Sequence, residues 1–427
     1  MADSPHPTRG CPTAVAVCLA VFSLCLPAPT LAGEKPVPKG AKKVERYLPS
    51  FRLKVQRAID AGAKRIYEDQ QLDGTWGEPG HIEHMGHTAF PLLTLVKAGT
   101  PLDTPYIEKA YAALLAMAPS RTYSVGVYLM ALQAKYQPQV DTLDTEVGTA
   151  RHKRLQPKKT WAKMSKVDRA KVEECVTWLL AAQNASGLWH YTQPANAKVV
   201  KHDLSCSQYA LLGLRAAMDC GYKIPAEVWQ RALQGLVPHQ DPTGPEVQLV
   251  DQEVRGGYAF ESRRKAQARG FYYRALTIED GKVVKGRGWG NKATGSMTTA
   301  GVACFHIVTE GLWRSRKFKG KERKLVRDAV RDGLAWMQAH FSVETNPAVP
   351  KREGNPHHYY YLYGLERMGM LTGRRWLGAH DWYKEGADLL LDQQWEDGSW
   401  GDTLHSSYAV LFLKRATRPG DAVVTTD

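Results

Sequence analysis

The sequence predicts an all-α protein, an (α/α)6 toroid of alternating outer and inner helices. Three observations carry this expectation. The stretches "QQLDGTWG" (70–77), "QNASGLWH" (183–190) and "QQWEDGSWG" (393–401) each place Gln, a short polar turn, Gly, one residue and Trp after a helical run. The run before each Gln is amphipathic, with apolar residues three and four apart, as in Val172, Val176 and Leu179. The run after each Trp is apolar nearly all round, as suits an inner helix behind an outer one.

The chain opens with the features of an export signal: Arg9, the apolar run 14–26, and small Thr30 and Ala32 near a cleavage point. That run is shorter than the roughly 20 residues of a membrane span. The expectation is therefore a cleaved signal over 1–32 and an exported protein, followed by a basic linker over 33–49. The toroid is expected over 50–416. Outer helices read at 51–70, 105–117, 167–183, 225–237, 324–341 and 381–393. Inner helices read at 86–99, 121–136, 205–221, 295–312, 357–371 and 406–416. Two excursions, near 138–165 and 241–292, are marked by Pro, Gly and charge, and neither shows a strand pattern. Residues 417–427 are expected as a flexible tail. Helical hairpins that cannot bury their faces singly must stack, and twelve alternating helices can close into a ring around a cavity.

The net charge of +14 is spread over basic stretches at 35–43, 151–154, 261–269 and 314–324. These read as solvated faces, or as peripheral contacts with an anionic membrane or envelope polymer. Export argues against nucleic acid as the partner. Cys11, Cys18 and Cys25 fall in the signal, which leaves Cys175, Cys206, Cys220 and Cys304, each inside an apolar helical run. Buried thiols in such runs pack as small hydrophobes, and no structural disulfide is expected.

The repeat has a structural reading. Gly74, Gly187 and Gly398 follow their helices where a left-handed turn excludes a Cβ. Gln71, Gln183 and Gln394 can bond backbone left open at a helix end. Trp76, Trp189 and Trp400 each bring an apolar plate and one N–H to the junction. Asp73 and Asp397 read as turn-makers. The pattern "WLLAAQNASGLW" (178–189), echoed at 65–76 and 389–400, resembles the QW repeat of squalene and oxidosqualene cyclases. More broadly it is similar to the terpenoid cyclase and protein prenyltransferase toroids. The resemblance spans roughly residues 50 to 416 and is specific for fold rather than chemistry.

The resemblance implies a pocket where the inner helices begin. Half of the fourteen histidines fall at those starts. Asp203, His202 and His358 are the candidate catalytic residues, with Asp203 suited equally to capping its helix. Tyr359, Tyr360, Tyr363, His84, His87, Tyr123 and His405 are the candidate ligand-binding residues, the tyrosines offering ring faces. The cyclases' Asp-x-Asp-Asp acid motif is absent, and "HDLSCSQYA" (202–210) only loosely matches their Asp-Cys-Thr region. The prenyltransferase branch implies Zn²⁺, for which Asp203, Cys206 and His358 or His405 could assemble, but its Asp-x-Cys spacing is not kept. His81, His84 and His87 share a helical spacing without a full ligand set. No cofactor is expected.

The function expected is binding or processing of an apolar, isoprenoid-type small molecule or lipid in the ring. The alternative is a polysaccharide lyase or hydrolase, or a non-catalytic scaffold, acting on envelope polymers. Glu83, Asp203 and Asp402 are the carboxylates available for it.

Overall fold

The computed structural model describes residues 40–419 except 79, 138–155, 197, 199–200, 256–257, 276, 280–281, 285–291, 314, 316–317 and 350–354. The expected signal, much of the linker and first excursion, and the end of the tail lie outside the described residues.

The helices come in outer–inner pairs. These are α1 (Pro49–Glu68) with α2 (His84–Ala98), α3 (Pro105–Ala116) with α4 (Thr122–Tyr136), and, after the short α5 (Pro157–Lys163), α6 (Lys166–Ala182) with α7 (Leu204–Cys220). Then follow α8 (Ala226–Leu236) with α9 (Gly295–Leu312), α10 (Gly320–Ala339) with α11 (His358–Thr372), and α12 (Trp382–Gln393) with α13 (Thr403–Lys414). Local signals set many of these ends. Pro opens α1 and α3. Ser165, Asp203, Thr294, Asp381 and Asp402 accept a backbone N–H as N-caps. Gly99, Gly221 and Gly373 close α2, α7 and α11 in the left-handed conformation.

The inner helices pack in sequence, α2 on α4, α4 on α7, α7 on α9, α9 on α11 and α11 on α13. Finally α13 packs back on α2, so the ring closes. Their burial is nearly continuous: in α9 every residue from Gly295 to Thr309 is buried. Close approach is built in where α4 meets α7, because a Cβ on Gly126 would lie 2.2 Å from the Tyr209 carbonyl oxygen. Among the described residues no helix is long and apolar enough to cross a membrane. Cys175, Cys206, Cys220 and Cys304 are all buried free thiols.

The three repeats act as stitches between neighbouring outer helices. Each Trp indole donates to a carbonyl ten residues upstream: Trp76 to Ile66, Trp189 to Leu179 and Trp400 to Leu390, all at 2.8 Å. The Gln183 amide donates to its own turn at Gly187 O (2.8 Å) and to Val228 O of α8 (2.9 Å). Gln394 repeats this with Gly398 O (2.8 Å) and Ala58 O of α1 (3.0 Å), tying the last outer helix to the first. In the first repeat the stitch is Gln70, which reaches Gly74 O (3.0 Å) and Tyr106 O of α3 (2.9 Å). The assignment of that role to Gln71 is corrected. Only Gln70 keeps the spacing of four to the Gly, and Gln71 bonds Gly77 O instead. Asp73 and Asp397 accept from the backbone two residues on, as turn-makers do.

The expectation that the second excursion lacks strands is also corrected. β2 (Glu246–Arg255) and β3 (Tyr258–Gln267) form an antiparallel hairpin, and β1 (Ala41–Lys43), from the linker, pairs with the other edge of β3. The hairpin lies on α10, where Gln338 bonds Val250 N and Gln248 O. Its alternation is disguised by a charge on the buried side. Asp251 receives Arg374 at 2.6 and 2.9 Å and Arg264 at 2.9 Å. The start of the expected tail is docked as well: Thr417 donates its N–H and hydroxyl to Glu366, and Arg418 pairs with Asp219 at 2.9 Å.

Candidate functional site

The helical period aligns the inner helices side by side, and the first turns of five of them surround one cavity of about 430 Å³. Tyr123 comes from α4, Ser205 and Tyr209 from α7, Ser296 and Met297 from α9, Tyr360 from α11, and Leu404, His405 and Tyr408 from α13. Loops add Tyr191, Tyr273, Lys292, Asn346, Val349 and His357. The lining is thus aromatic with hydroxyl accents, and no Asp or Glu is among these residues.

The tyrosines hold each other in place. Tyr123 meets Tyr209 edge-on at 4.5 Å between ring centroids, and Tyr360 meets Tyr408 edge-on at 6.0 Å. The Tyr360 hydroxyl receives Gln208 Nε2 (2.6 Å) and bonds Ser205 Oγ (3.0 Å). Tyr191 and Tyr273 bond each other through their hydroxyls at 3.1 Å. Burial pushes the phenols of Tyr123, Tyr360 and Tyr408 upward, so they stay protonated. The Tyr123 and Tyr209 hydroxyl oxygens are buried without a hydrogen-bond partner among the described residues. His357, at the mouth, has φ +59°, a left-handed backbone that a non-glycine side chain adopts at a cost.

Below the tyrosines the ring is filled. The next void holds only about 30 Å³ and is bounded by Tyr363, Lys97, Arg215, Asp219, Thr417 and Arg418. Burial depresses the Lys97 amine to about 8, while the arginines there are paired: Arg215 meets Glu310 at 2.6 Å, and two arginines depress that carboxyl to about 2. His357 and His405 line a second, open groove of about 660 Å³ as well, shared with His358, Tyr359, Asp392, Gln393 and Trp395. Cavity and groove therefore meet at these two histidines.

Of the residues singled out by sequence, Tyr123, Tyr360 and His405 reach the cavity. Asp203 caps α7, accepting Cys206 N at 2.7 Å. Its other oxygen is buried with no partner among the described residues, beside Tyr273 and His190, and burial raises its pKa. Asp203 therefore lies behind the lining rather than in it. The His202 ring lies tilted against that of His239, with centroids 5.2 Å apart. His358 bonds Val343 O (2.6 Å) and, with Tyr359, faces the groove. Tyr363 lies a turn deeper, on the lower void. His84 Nδ1 is buried without a partner among the described residues, and His87 stacks on His81 at 4.8 Å. Among the described residues no three His, Cys, Asp or Glu side chains could hold a metal ion. Glu83 is occupied by Ser124 (2.6 Å) and Arg121 (3.1 Å).

Sequence reasoning missed Tyr209 and Tyr408, although the helical period places them one turn below Ser205 and Leu404. Tyr191 and Tyr273 carry no such signal, because loops deliver them.

Fold and site together define an α/α toroid that is a cup, open at the inner-helix N-termini and filled below. No family model and no curated protein matches the sequence. Among solved structures, the chain is similar to an inactive variant of the α-1,6-mannanase GH76A of Salegentibacter sp. HEL1_6, in complex with α-1,6-mannotriose. That match has a TM-score of 0.52 and 9% identity over 85% of this chain and 99% of that one. It is also similar to the type II terpene cyclase MstE of Scytonema in complex with geranylgeranyl dihydroxybenzoate, with a TM-score of 0.45 and 11% identity over 86% and 99%. At such identity the mannanase match shows the fold alone, and that fold is the α/α toroid.

Proposed function

We propose that this protein binds an apolar, isoprenoid-type molecule in the cup, as an exported toroid. The observation that carries the reading is the lining: six tyrosines with Met297, Val349 and Leu404 around a cavity of about 430 Å³. Ring faces pack well against unsaturated chains, and the size suits a small ligand. Where the ligand is processed, Asp203 is the proton donor we assign. Its burial favours the neutral acid, and Tyr273 stands between it and the cavity. His202, beside it, and His358, at the groove, are positioning residues in this reading. In this reading Tyr359, on the groove, His84 and His87 serve as further ligand contacts.

The test is binding of farnesol and squalene to the purified chain, followed by tryptophan fluorescence. Tyr360→Ala and Tyr209→Ala are expected to weaken binding by about tenfold each, the scale of one lost aromatic wall. Absence of binding to either lipid, or full affinity in both variants, ends this reading.

A second reading rests on the groove. Trp395, 62% exposed, and Tyr359 flank it, and it runs into the cavity at His357 and His405. One exposed and one half-buried ring along a polar groove suit an extended glycan, an envelope polymer among them. Retarded migration in gels cast with acidic or neutral polysaccharide, lost in Trp395→Ala, would favour it over the lipid.

A further inference from the structure

Arg367 is fully buried and meets no carboxylate among the described residues: its guanidinium has only the phenols of Tyr209 and Tyr363 close by, and none of its three nitrogens makes a well-formed hydrogen bond there. It lies seven residues after Tyr360 on α11, hence on the same face two turns deeper, and helical side chains lean toward the N-terminus, here toward the cavity. Its guanidinium carbon sits 4.2 Å from the Tyr363 ring centroid and 5.3 Å from that of Tyr209, a cavity wall. Stacking of this kind uses the faces of the guanidinium and leaves its in-plane N–H edges unanswered. Glu366, its chain neighbour, is engaged by Thr417 instead. Of the other buried arginines, Arg215 and Arg374 each meet a carboxylate, while Arg415 stacks on Tyr383, which does not line the cavity, with its Nε and one Nη unpartnered among the described residues.

The same floor carries two more orphaned polar atoms, the hydroxyls of Tyr123 and Tyr209, and these can donate. Five inner helices also point their N-termini at the cavity, which makes the potential there positive. A buried cation with no carboxylate, donating hydroxyls and converging helix N-termini all favour the same kind of group. We infer that the ligand's leading end is an oxyanion, a carboxylate or a phosphate, that settles on the Arg367–tyrosine floor while its apolar chain fills the cup. This rests on the isoprenoid reading and specifies its class: an acidic isoprenoid-type molecule. A positive floor would disfavour a carbocation in the cavity, so the inference also points to capture of such a molecule rather than its cyclisation.

The test compares three C15 probes with one chain: farnesol, farnesoic acid and farnesyl phosphate, with affinities measured by calorimetry. The acid or the phosphate is expected to bind at least about tenfold tighter than the alcohol, as a charge-assisted hydrogen bond provides. Which of the two binds tighter assigns the headgroup. Arg367→Met should erase the preference while farnesol affinity stays within about threefold. Arg367→Lys, which keeps the charge but loses the fork, should retain part of the preference and serves if the Met variant does not fold. Equal affinity for alcohol and anions overturns the inference and leaves the isoprenoid reading standing. Failure of all three probes removes that reading itself. A preference lost in Lys292→Gln but kept in Arg367→Met would put the anion at the mouth and overturn the floor assignment.

Discussion

At the scale of single residues, the repeated Trp is architecture and the buried Asp has two possible tasks. Trp189 is fully buried, and its indole N–H is spent on Leu179 O. Trp189→Ala should lower stability by about 3–5 kcal/mol, the range for truncating a buried aromatic, measured by urea denaturation. Unchanged stability with lost binding would instead place the Trp in the site. Gly187 is equally constrained, since a Cβ there would lie 2.1 Å from Arg231 O at φ +85°. Asp203 is tested by substitution. Asn caps a helix about as well as Asp, so Asp203→Asn should keep stability within about 0.5 kcal/mol while Asp203→Ala loses about 1 kcal/mol. If Asp203 also serves as an acid, the Asn variant folds normally and turns over no ligand.

At the scale of an element, α11 reports both ends of the ring. Its first turns supply Tyr360 to the cavity, and further along Glu366 lies fully buried. Burial pushes the Glu366 carboxyl up to about 7, against the hydrogen bonds from Thr417. The unfolded chain would titrate it near about 4.3. The folded state therefore holds that proton more tightly, and the resulting stability is complete below about 4.3 and lost as pH rises through about 7. The melting temperature should fall between pH 5 and pH 8, and Glu366→Gln should flatten that fall even if it lowers stability overall. An equally steep profile in the Gln variant would assign the fall to other groups. The β2–β3 hairpin is a separate lesson. Its buried Asp251 depends on Arg374, and Arg374→Met leaves a buried carboxylate short of its main partner. Hydrogen exchange in 246–267 should quicken at least about tenfold, while the inner helices keep their protection.

At the scale of the whole molecule, closure is the main structural fact. The contact of α13 with α2, and the Gln394 bond to Ala58 O, join the last pair of helices to the first. A ring differs from an open stack because no inner helix is left with an uncovered apolar face. A chain ending at Gly378 lacks α12 and α13 and uncovers Phe90, which packs on Tyr408 at 4.8 Å. It should bind a hydrophobic dye and melt without a cooperative transition in circular dichroism. A sharp two-state melt would show that the ring tolerates a gap.

The alternation of wet and dry helices was readable along the chain, because burial on one face or on all faces writes a period into the residues themselves. The repeats were readable too, and the constant spacing of four from Gln to Gly singles out Gln70 in the first of them. Tyr123, Tyr360 and His405 could be assigned to the site because they stand at the starts of inner helices. The hairpin was hidden, since its buried face carries Asp251, whose charge is acceptable only beside Arg374, a residue 123 positions away. Tyr191 and Tyr273 were hidden for the same reason, being brought to the cavity by loops whose course no local period encodes. Arg367 reads in the sequence as one more basic residue on a helix. Only the closed ring strips it of water and carboxylates and sets it beneath Tyr209, because desolvation and the choice of partners are properties of packing, not of a residue's neighbours in the chain.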